Sequence, residues 1–471
     1  MTEFMRQFVQ FYNYFFAAYL GFYVIYLIIS NVYGSIKMYR YRRLEQLHNV
    51  LDHEFFFPVS IIVPAYNEGE TAVQTVANLL KTVYRLFEVI VVDDGSKDNT
   101  KQLLIDAFSL TPEINRPIRY SVPCKPILEV YTGESNHIKI TLIVKENGGC
   151  KADASNAGIN VAAYPYIVNM DADEILQKDA LKYACRAILE DDNVIGVGGN
   201  LKISNDVKFS DAMPVSTRLG KNLLVNMQVL EYSRGFVGAK IFQNEMNTNL
   251  IISGGYGVFN KAAIIEVGGY DTKSLGEDME LTLRLHHHYR KNKKKYSMKY
   301  VPDSVCWTQG PSTMGDLRRQ RERWHCGLTQ TIMKYKNMIL NPKYGLIGIL
   351  MLPYTILYEL LNPVFMLLGW IVILWTLFDQ TLVVPVAIYL YLTYIVFGII
   401  LSMIAFLNKI YMKGDSFTIV DVCKCLFAGL IESLFLKPYL SIVNFLAFFK
   451  LKKIASKWES PSRIKVDASD E

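Results

Sequence analysis

The chain has 471 residues, 51% of them apolar, and a formal net charge of +6, a length that implies more than one folding unit. The apolar residues gather at 11–33 and 344–449, and the basic residues hug the edges of those blocks, a placement that excludes a nucleic-acid-binding stripe. Seven cysteines, with no CxxC pair or zinc spacing, exclude a disulfide scaffold and a structural zinc site, and free thiols facing a reducing compartment are expected.

Residues 11–30, FYNYFFAAYLGFYVIYLIIS, carry no charge and are long enough to cross a bilayer core as one helix. The charge follows the run and no small-residue cleavage site comes after it, so a retained span is expected rather than a signal peptide. Lys37, Arg40, Arg42 and Arg43 follow this block, and Lys450, Lys452, Lys453 and Lys457 follow the last apolar one. Excess Lys and Arg marks the cytoplasmic face of a membrane, so both flanks place residues 36–335 in the cytosol.

That middle block alternates short apolar strands with helices. FPVSIIVPAYNEG predicts a buried strand at Ile61–Val63, ended by Pro64, and then a helix carrying Thr71, Val73, Val76, Leu79 and Leu80. FEVIVVDDGSKDNT predicts a second strand, Val89–Val92, with Ser96 or Asp98 capping the next helix. IKITLIVK and YPYIVNM supply a third and a fourth, while 111–138 reads as a long connector. This pattern means an α/β domain on a mostly parallel sheet, with ligands bound at the carboxyl ends of the strands. Asn67, Asp93, Asp94, Asp171 and Asp173 all fall there. Acids at strand ends suit Mg²⁺ or Mn²⁺ shared with phosphate oxygens; helix capping is the competing explanation for Asp93-Asp94. Asp171-Ala172-Asp173 on an extended segment would point both carboxylates one way. Further on, Glu277-Asp278 opens a helix, either complementing its dipole or supplying a general base.

RRQRERWHCG, which includes Gln320, Arg323 and Trp324, precedes the second apolar block. Within that block 363–378 and 382–407 read as spans. Residues 344–361, with Pro353 and Glu359, read as an interfacial or half-inserted helix. Residues 417–449, broken at Lys437-Pro438, read as a hairpin of two short crossings or an interfacial segment. Glu359 and Glu432 are expected to line any polar passage through the bundle. His286-His287-His288 is expected on a solvated basic face, His325 and Cys326 in packing, and Trp370 and Trp375 at the lipid interface.

Asp93-Asp94, Asp171-x-Asp173, Glu277-Asp278 and Gln320-x-x-Arg323-Trp324, in that order, with one N-terminal and several C-terminal apolar stretches, resemble the processive membrane-embedded family 2 glycosyltransferases. These include cellulose, mixed-linkage β-glucan, hyaluronan, chitin and poly-N-acetylglucosamine synthases. The resemblance covers roughly residues 10–450 and implies a GT-A domain that takes a UDP-sugar with Mg²⁺ or Mn²⁺. Carried over to matching positions, it implies that Asn67 and Asp93 lie by the uridine, Lys151 by the nucleotide and Asp94 nearer the diphosphate. Asp171 and Asp173 would flank the diphosphate, with Asp173 the more direct metal ligand. Asp278, beside Glu277, would be the catalytic base, Gln320 and Arg323 would hold the pyrophosphate, and Trp324 would stack on the acceptor sugar. Two positions depart from the family: Gly276 stands where many relatives carry Thr, and Ser253 where cellulose synthases carry Cys beside the acceptor. The cyclic-di-GMP-binding barrel of some cellulose synthases is not expected.

The resemblance implies a processive, inverting polymerase at the plasma membrane, leaning to UDP-glucose and a β-glucan. The alternatives are a UDP-N-acetylglucosamine polymerase or transfer of one sugar to a lipid. The expected organisation is a span at 1–35, the catalytic domain at 36–335, membrane and interfacial helices at 336–455 and a tail at 456–471. The expected partners are the UDP-sugar, the growing glycan and membrane lipid.

Overall fold

The structure is a computed structural model that describes residues 3–47, 56–114, 116–379, 384–413 and 418–451. Lys452, Lys453, Lys457 and the 456–471 tail lie outside the described residues. A long helix, α1 (Glu3–Leu47), leads into β1 (Val59–Ala65), α2 (Gly69–Leu79), β2 (Phe87–Asp93), α3 (Thr100–Phe108), β3 (Thr111–Pro112), β4 (Ile127–Ser135) and β5 (Ile138–Lys145). Then come α4 (Lys151–Val161), β6 (Tyr166–Met170), β7 (Ile175–Leu176), α5 (Ala180–Leu189) and β8 (Val194–Ile203), with a small ribbon of β9 (Lys208–Ser210) and β10 (Met213–Ser216). The domain continues with α6 (Leu223–Arg234), a π-helical turn at Gly235–Ala239, α7 (Lys240–Glu245), β11 (Tyr256–Asn260), α8 (Lys261–Glu266), α9 (Glu277–Lys291), β12 (Ser297–Thr308) and α10 (Met314–Lys334).

Ten strands form one sheet in the order β3-β4-β5-β2-β1-β6-β11-β8-β12-β7. Its centre, β5-β2-β1-β6, is parallel, with Ile61 beside both Val89 and Val168 and Val91 beside Leu142. Every residue of β1 and β2 is buried, because helices cover both faces and continuous apolar runs are needed there. Alternation divides the runs. Ile61, Val63, Val89, Val91 and Leu142 join one core, and Ile62, Ile90, Val92 and Ile143 the other.

The sheet is mixed rather than mostly parallel. β4 pairs antiparallel to β5, and β11 runs antiparallel between β6 and β8. The 111–138 connector thus contains β3 and β4, and β4 turns into β5 through Asn136 and His137, both at positive φ, the backbone that tight hairpins require. Nor is 286–288 a solvated face. His286 is fully buried between Tyr296 Oη at 2.7 Å and the Asn249 carbonyl at 2.9 Å, and His287 stacks on Tyr344.

Among the described residues one helix, Arg6–Arg40, is long and apolar enough to cross a membrane; a second counts if the pair Ile347–Leu360 and Asn362–Phe378, bent by 47°, is one span. α1 packs on that pair. Tyr12 Oη donates to the Phe365 carbonyl at 2.6 Å, and Tyr358 Oη to the Tyr19 carbonyl at 3.0 Å. After α11 (Leu352–Thr355) and α12 (Asn362–Phe378) come α13 (Val384–Lys413), α14 (Ile419–Ile431) and α15 (Lys437–Phe448). A π-helical turn at Glu432–Leu436 links α14 to α15, so Lys437-Pro438 does not split the segment into a hairpin. Pro438 sits in the first turn of α15, where its missing N–H is tolerated. α15 lies on α10: Cys326 Sγ reaches the Ala447 carbonyl at 3.5 Å, and the His325 ring meets Phe448 edge-on.

Candidate active site

The site is assembled at the carboxyl ends of β1, β2 and β6. After β1, Asn67 adopts φ 54°, a conformation Asn tolerates better than most residues. Its N–H donates to Ser96 Oγ at 2.9 Å, and its Oδ1 accepts from Lys97 N–H at 2.8 Å. Asp93, ending β2, accepts from Ser96 N–H at 2.8 Å. Ser96 therefore knits the two strand ends together; Asn99 occupies the N-cap position of α3 without a side-chain cap bond, and Asp98 Oδ1 accepts from the Thr100 N–H at 3.0 Å as expected of a capping side chain. Burial pushes the Asp93 pKa up, and the Ser96 hydrogen bonds oppose it.

Asp94 packs between the carboxyl ends of β2 and β5. It is fully buried, with Oδ1 on Lys145 Nζ and accepting from Gly148 N–H at 3.0 Å. Lys145, itself 0% exposed, also pairs with Asp153 at 2.6 Å. An isolated charge could not persist there; burial disfavours the ammonium, but Asp153 and Asp94 outweigh it and raise the Lys145 pKa. This triad bolts the Asp93-Asp94 turn to α4. One carboxylate oxygen of Asp94 is held in this triad, while Oδ2 is buried without a hydrogen-bond partner among the described residues.

α4 opens with Lys151, whose Nζ pairs with Asp171 Oδ1 and donates to the Gly254 carbonyl at 2.7 Å. Burial opposes its charge, but Asp171 and Glu277 prevail and raise its pKa. Asp171-Ala172-Asp173 lies on a turn rather than an extended segment, so strand alternation does not orient the two carboxylates. Next to them Glu174 is buried and close-packed on Gly255, where an added Cβ would sit 2.1 Å from its Oε1. Burial first, then Asp171 and Asp173, raise the Glu174 pKa. Among the described residues no three His, Cys, Asp or Glu side chains form a ready-made metal cage. The acids are interleaved with Lys145 and Lys151 rather than converging. The excess negative charge around Asp171, Asp173 and Glu174 still fits a divalent cation held by one or two carboxylates and substrate phosphates.

Asp278, in the first turn of α9, accepts from Gly254 N–H at 3.1 Å through Oδ2. The loop before β11 thus touches Lys151 through the Gly254 carbonyl and Asp278 through its amide. Ser253 Oγ accepts from Gly255 N–H at 3.3 Å, stabilising the turn. Burial and the neighbouring Asp278 raise the Glu277 pKa, with Lys151 and Arg323 opposing. Gly276 bears on α10: an added Cβ at Gly327 would lie 2.8 Å from Gly276 N and 3.0 Å from its Cα. Two glycines let α10 lie against the start of α9, where Arg323 is close enough to offset the charge of Glu277. Trp324 is 40% exposed, and among the described residues Gln320 Oε1, though buried, has no hydrogen-bond partner.

Beside this crevice a cavity of about 570 Å³ opens between α1, the π-helical turn after α6 and the C-terminal helices. Ile251 and Met279, next to the Gly254 loop and Asp278, line one part, and Tyr19, Tyr23, Tyr354, Tyr358 and Tyr394 line another, with Lys240 and Glu359. Glu359 therefore faces the cavity as expected. Glu432 does not, being 4% exposed and gripped by the Arg234 guanidinium, whose Nη1 lies 2.9 Å from its Oε2. Sequence reasoning missed Lys145, Asp153 and Gly327. A lone Lys and a lone Gly carry no local signal of partners so distant in the chain.

The sequence profile of Glycosyl transferase family group 2 matches residues 166–410, and that of Glycosyl transferase family 2 matches residues 60–120. The chain is 30% identical over 329 residues to the poly-β-1,6-N-acetyl-D-glucosamine synthase of Staphylococcus aureus strain COL, covering 69% of this chain and 67% of the relative. It is 28% identical over 319 residues to the same-named synthase of Staphylococcus epidermidis, covering 67% and 66%. A solved mannosyltransferase from Pyrobaculum calidifontis, in complex with GDP-mannose and Mn²⁺, aligns over 91% of this chain and 97% of its own at 16% identity and a TM-score of 0.49, too distant a likeness to carry an argument. The profile matches and the S. aureus relative show that this chain belongs to glycosyltransferase family 2, as a polysaccharide-synthase-like hexosyltransferase.

Proposed function

We propose that this chain polymerises N-acetylglucosamine from UDP-N-acetylglucosamine into a β-1,6-linked glycan and passes the product into the membrane. The observation that carries the reading is the 30% identity to the S. aureus synthase over 329 residues. UDP-N-acetylglucosamine accordingly replaces the UDP-glucose to which the family resemblance leaned. In support, Lys151 pairs with Asp171 and donates to the Gly254 carbonyl, Asp278 accepts from the Gly254 N–H, and a tyrosine-lined cavity lies next to this loop at Ile251 and Met279.

In this mechanism Asn67 and Asp93, tied through Ser96, form the uridine end, and Lys151 lies by the nucleotide. Asp171 and Asp173 would hold Mg²⁺ or Mn²⁺, which when bound neutralises the donor's diphosphate. Asp278 takes the proton of the acceptor hydroxyl, whose oxygen attacks the anomeric carbon from the face opposite UDP. The bond from that carbon to the diphosphate oxygen breaks, its electron pair leaves with UDP, and the configuration inverts. Arg323 and Gln320 take up the developing charge on the pyrophosphate, which a guanidinium does well. Trp324 offers an aromatic face to the terminal sugar. Asp94 acts from behind by fixing the Asp93 turn. α1 and the C-terminal helices place the enzyme in the membrane with its catalytic domain in the cytosol.

The test uses full-length protein in nanodiscs with Mg²⁺ or Mn²⁺ and labelled UDP-N-acetylglucosamine or UDP-glucose in parallel. Long polymer from the first donor, degraded by a β-1,6-specific hexosaminidase, supports the reading. Asp278→Asn should lower the rate by about 10²–10⁴, the range for a general base, and chelation should stop the reaction. Polymer from UDP-glucose alone, or a single sugar on lipid, would sink it.

A further inference from the structure

Arg323 and Trp324 have assigned roles in the QRERW run, but Arg321 has none. It lies one helical turn before Trp324 with its guanidinium 4.6 Å from the indole ring. Both of its terminal nitrogens donate to one carboxylate on α6, Nη1 to Glu231 Oε1 at 2.8 Å and Nη2 to Glu231 Oε2 at 2.7 Å. Its side chain is only 11% exposed, although Trp324 is 40% exposed. A two-point fork fixes the plane of a guanidinium, and a fixed guanidinium over an indole restricts the ring. Three residues further along α6, Arg234 grips Glu432, which begins the π-helical turn after α14, and also Ser402 on α13. The π-helical turn that follows lines the tyrosine-walled cavity. α6 therefore carries two arginine–glutamate forks, one at the tryptophan and one at the membrane helices.

We propose that Arg321, held by Glu231, is a positioning residue that fixes Trp324 against α6, so that the terminal sugar of the growing hexosamine polymer stacks in line with the cavity. The inference rests on the reading of Trp324 as the acceptor platform. Arg321 occupies one side of the indole and leaves the other for the sugar. Neither Arg321 nor Glu231 touches the donor in this scheme, so their effect falls on the acceptor.

The experiment measures initial rates in nanodiscs with soluble β-1,6-linked N-acetylglucosamine oligomers as acceptors, reading KM for acceptor and for UDP-N-acetylglucosamine separately, together with product length. Trp324→Ala, Arg321→Ala, Arg321→Lys, Glu231→Gln and the Trp324→Ala/Arg321→Ala double variant are compared. Arg321→Ala should raise the acceptor KM about fivefold to tenfold and shorten the product, with the donor KM within about twofold. Arg321→Lys, which keeps the charge but not the fork, and Glu231→Gln should give smaller shifts of the same kind. The double variant should be no worse than Trp324→Ala alone, because both act through one ring. Additive losses, or a donor KM that rises with the acceptor KM, would mean general disruption and overturn the proposal. If Trp324→Ala leaves the acceptor KM unchanged, the platform reading itself fails; if Trp324→Ala raises it and the Arg321 and Glu231 variants do not, only the positioning role fails.

Discussion

Gly327→Ala tests how tightly α10 must lie on α9. The added methyl would meet Gly276 N at 2.8 Å, Gly276 Cα at 3.0 Å and Leu275 C at 3.1 Å, all backbone atoms. Backbone cannot rotate aside as a side-chain tip can, so restoring contact to 3.4 Å separates the two segments by about 0.6 Å. Overpacking of this kind destabilises by about 1–3 kcal/mol. Ala in place of Gly within a helix returns up to about 1 kcal/mol, so the net loss is about 0–3 kcal/mol and the protein still folds. The geometry of transfer is less forgiving: a misplacement near 1 Å can lower a rate about 10²-fold. Gly327→Ala is therefore expected to shift Tm by only a few degrees while polymer synthesis falls about 10- to 100-fold. Polymerisation is followed by label incorporated from UDP-N-acetylglucosamine, and stability by thermal melting in the same nanodiscs. Unaltered synthesis at saturating donor would refute the argument that the Gly276–Gly327 contact sets the register between Asp278 and the QRERW helix.

Arg234→Met should destabilise strongly, by about 3–5 kcal/mol, because it strands the carboxylate of Glu432 in a buried position; Glu432→Gln with Arg234→Met should recover part of the loss in a melting assay. Lys151→Met should cost more activity than stability, since it removes the cation shared by Asp171 and the Gly254 carbonyl; the readout is the KM for donor, expected to rise, against Tm. Burial lowers the His286 pKa to about 3, whereas the unfolded chain takes up that proton near pH 6.5. The unfolded state therefore binds more protons between those values, and stability falls as pH drops from about 6.5 toward 3. His286→Gln should flatten that part of the Tm–pH curve; an unchanged acid slope would contradict the burial argument.

The strands that carry the site were legible because they obey local rules. IIV and VIVV are continuous apolar runs, and each ends in residues that suit a turn, so the placement of Asn67, Asp93 and Asp171 at strand ends followed from the chain itself. The hairpin into β5 escaped notice because its strand alternates weakly, although Asn136-His137 was a usable turn signal. Burial of His286 was not legible, since three histidines beside a lysine run look solvated until the helix face is known.

What the sequence determined by itself is therefore the local menu: apolar runs long enough for strands or spans, acids at their ends, and a charged helix with one tryptophan ahead of an apolar block. Only the tertiary structure decided which charges meet. Lys145 is 51 residues from Asp94, Arg321 is 90 from Glu231, and Arg234 is 198 from Glu432. Ion pairs of such separation leave no periodicity in the chain, because their geometry is set by how helices pack on the sheet rather than by backbone spacing. The same packing tied Asp94 to Lys145 and placed a cavity beside Met279, the neighbour of Asp278.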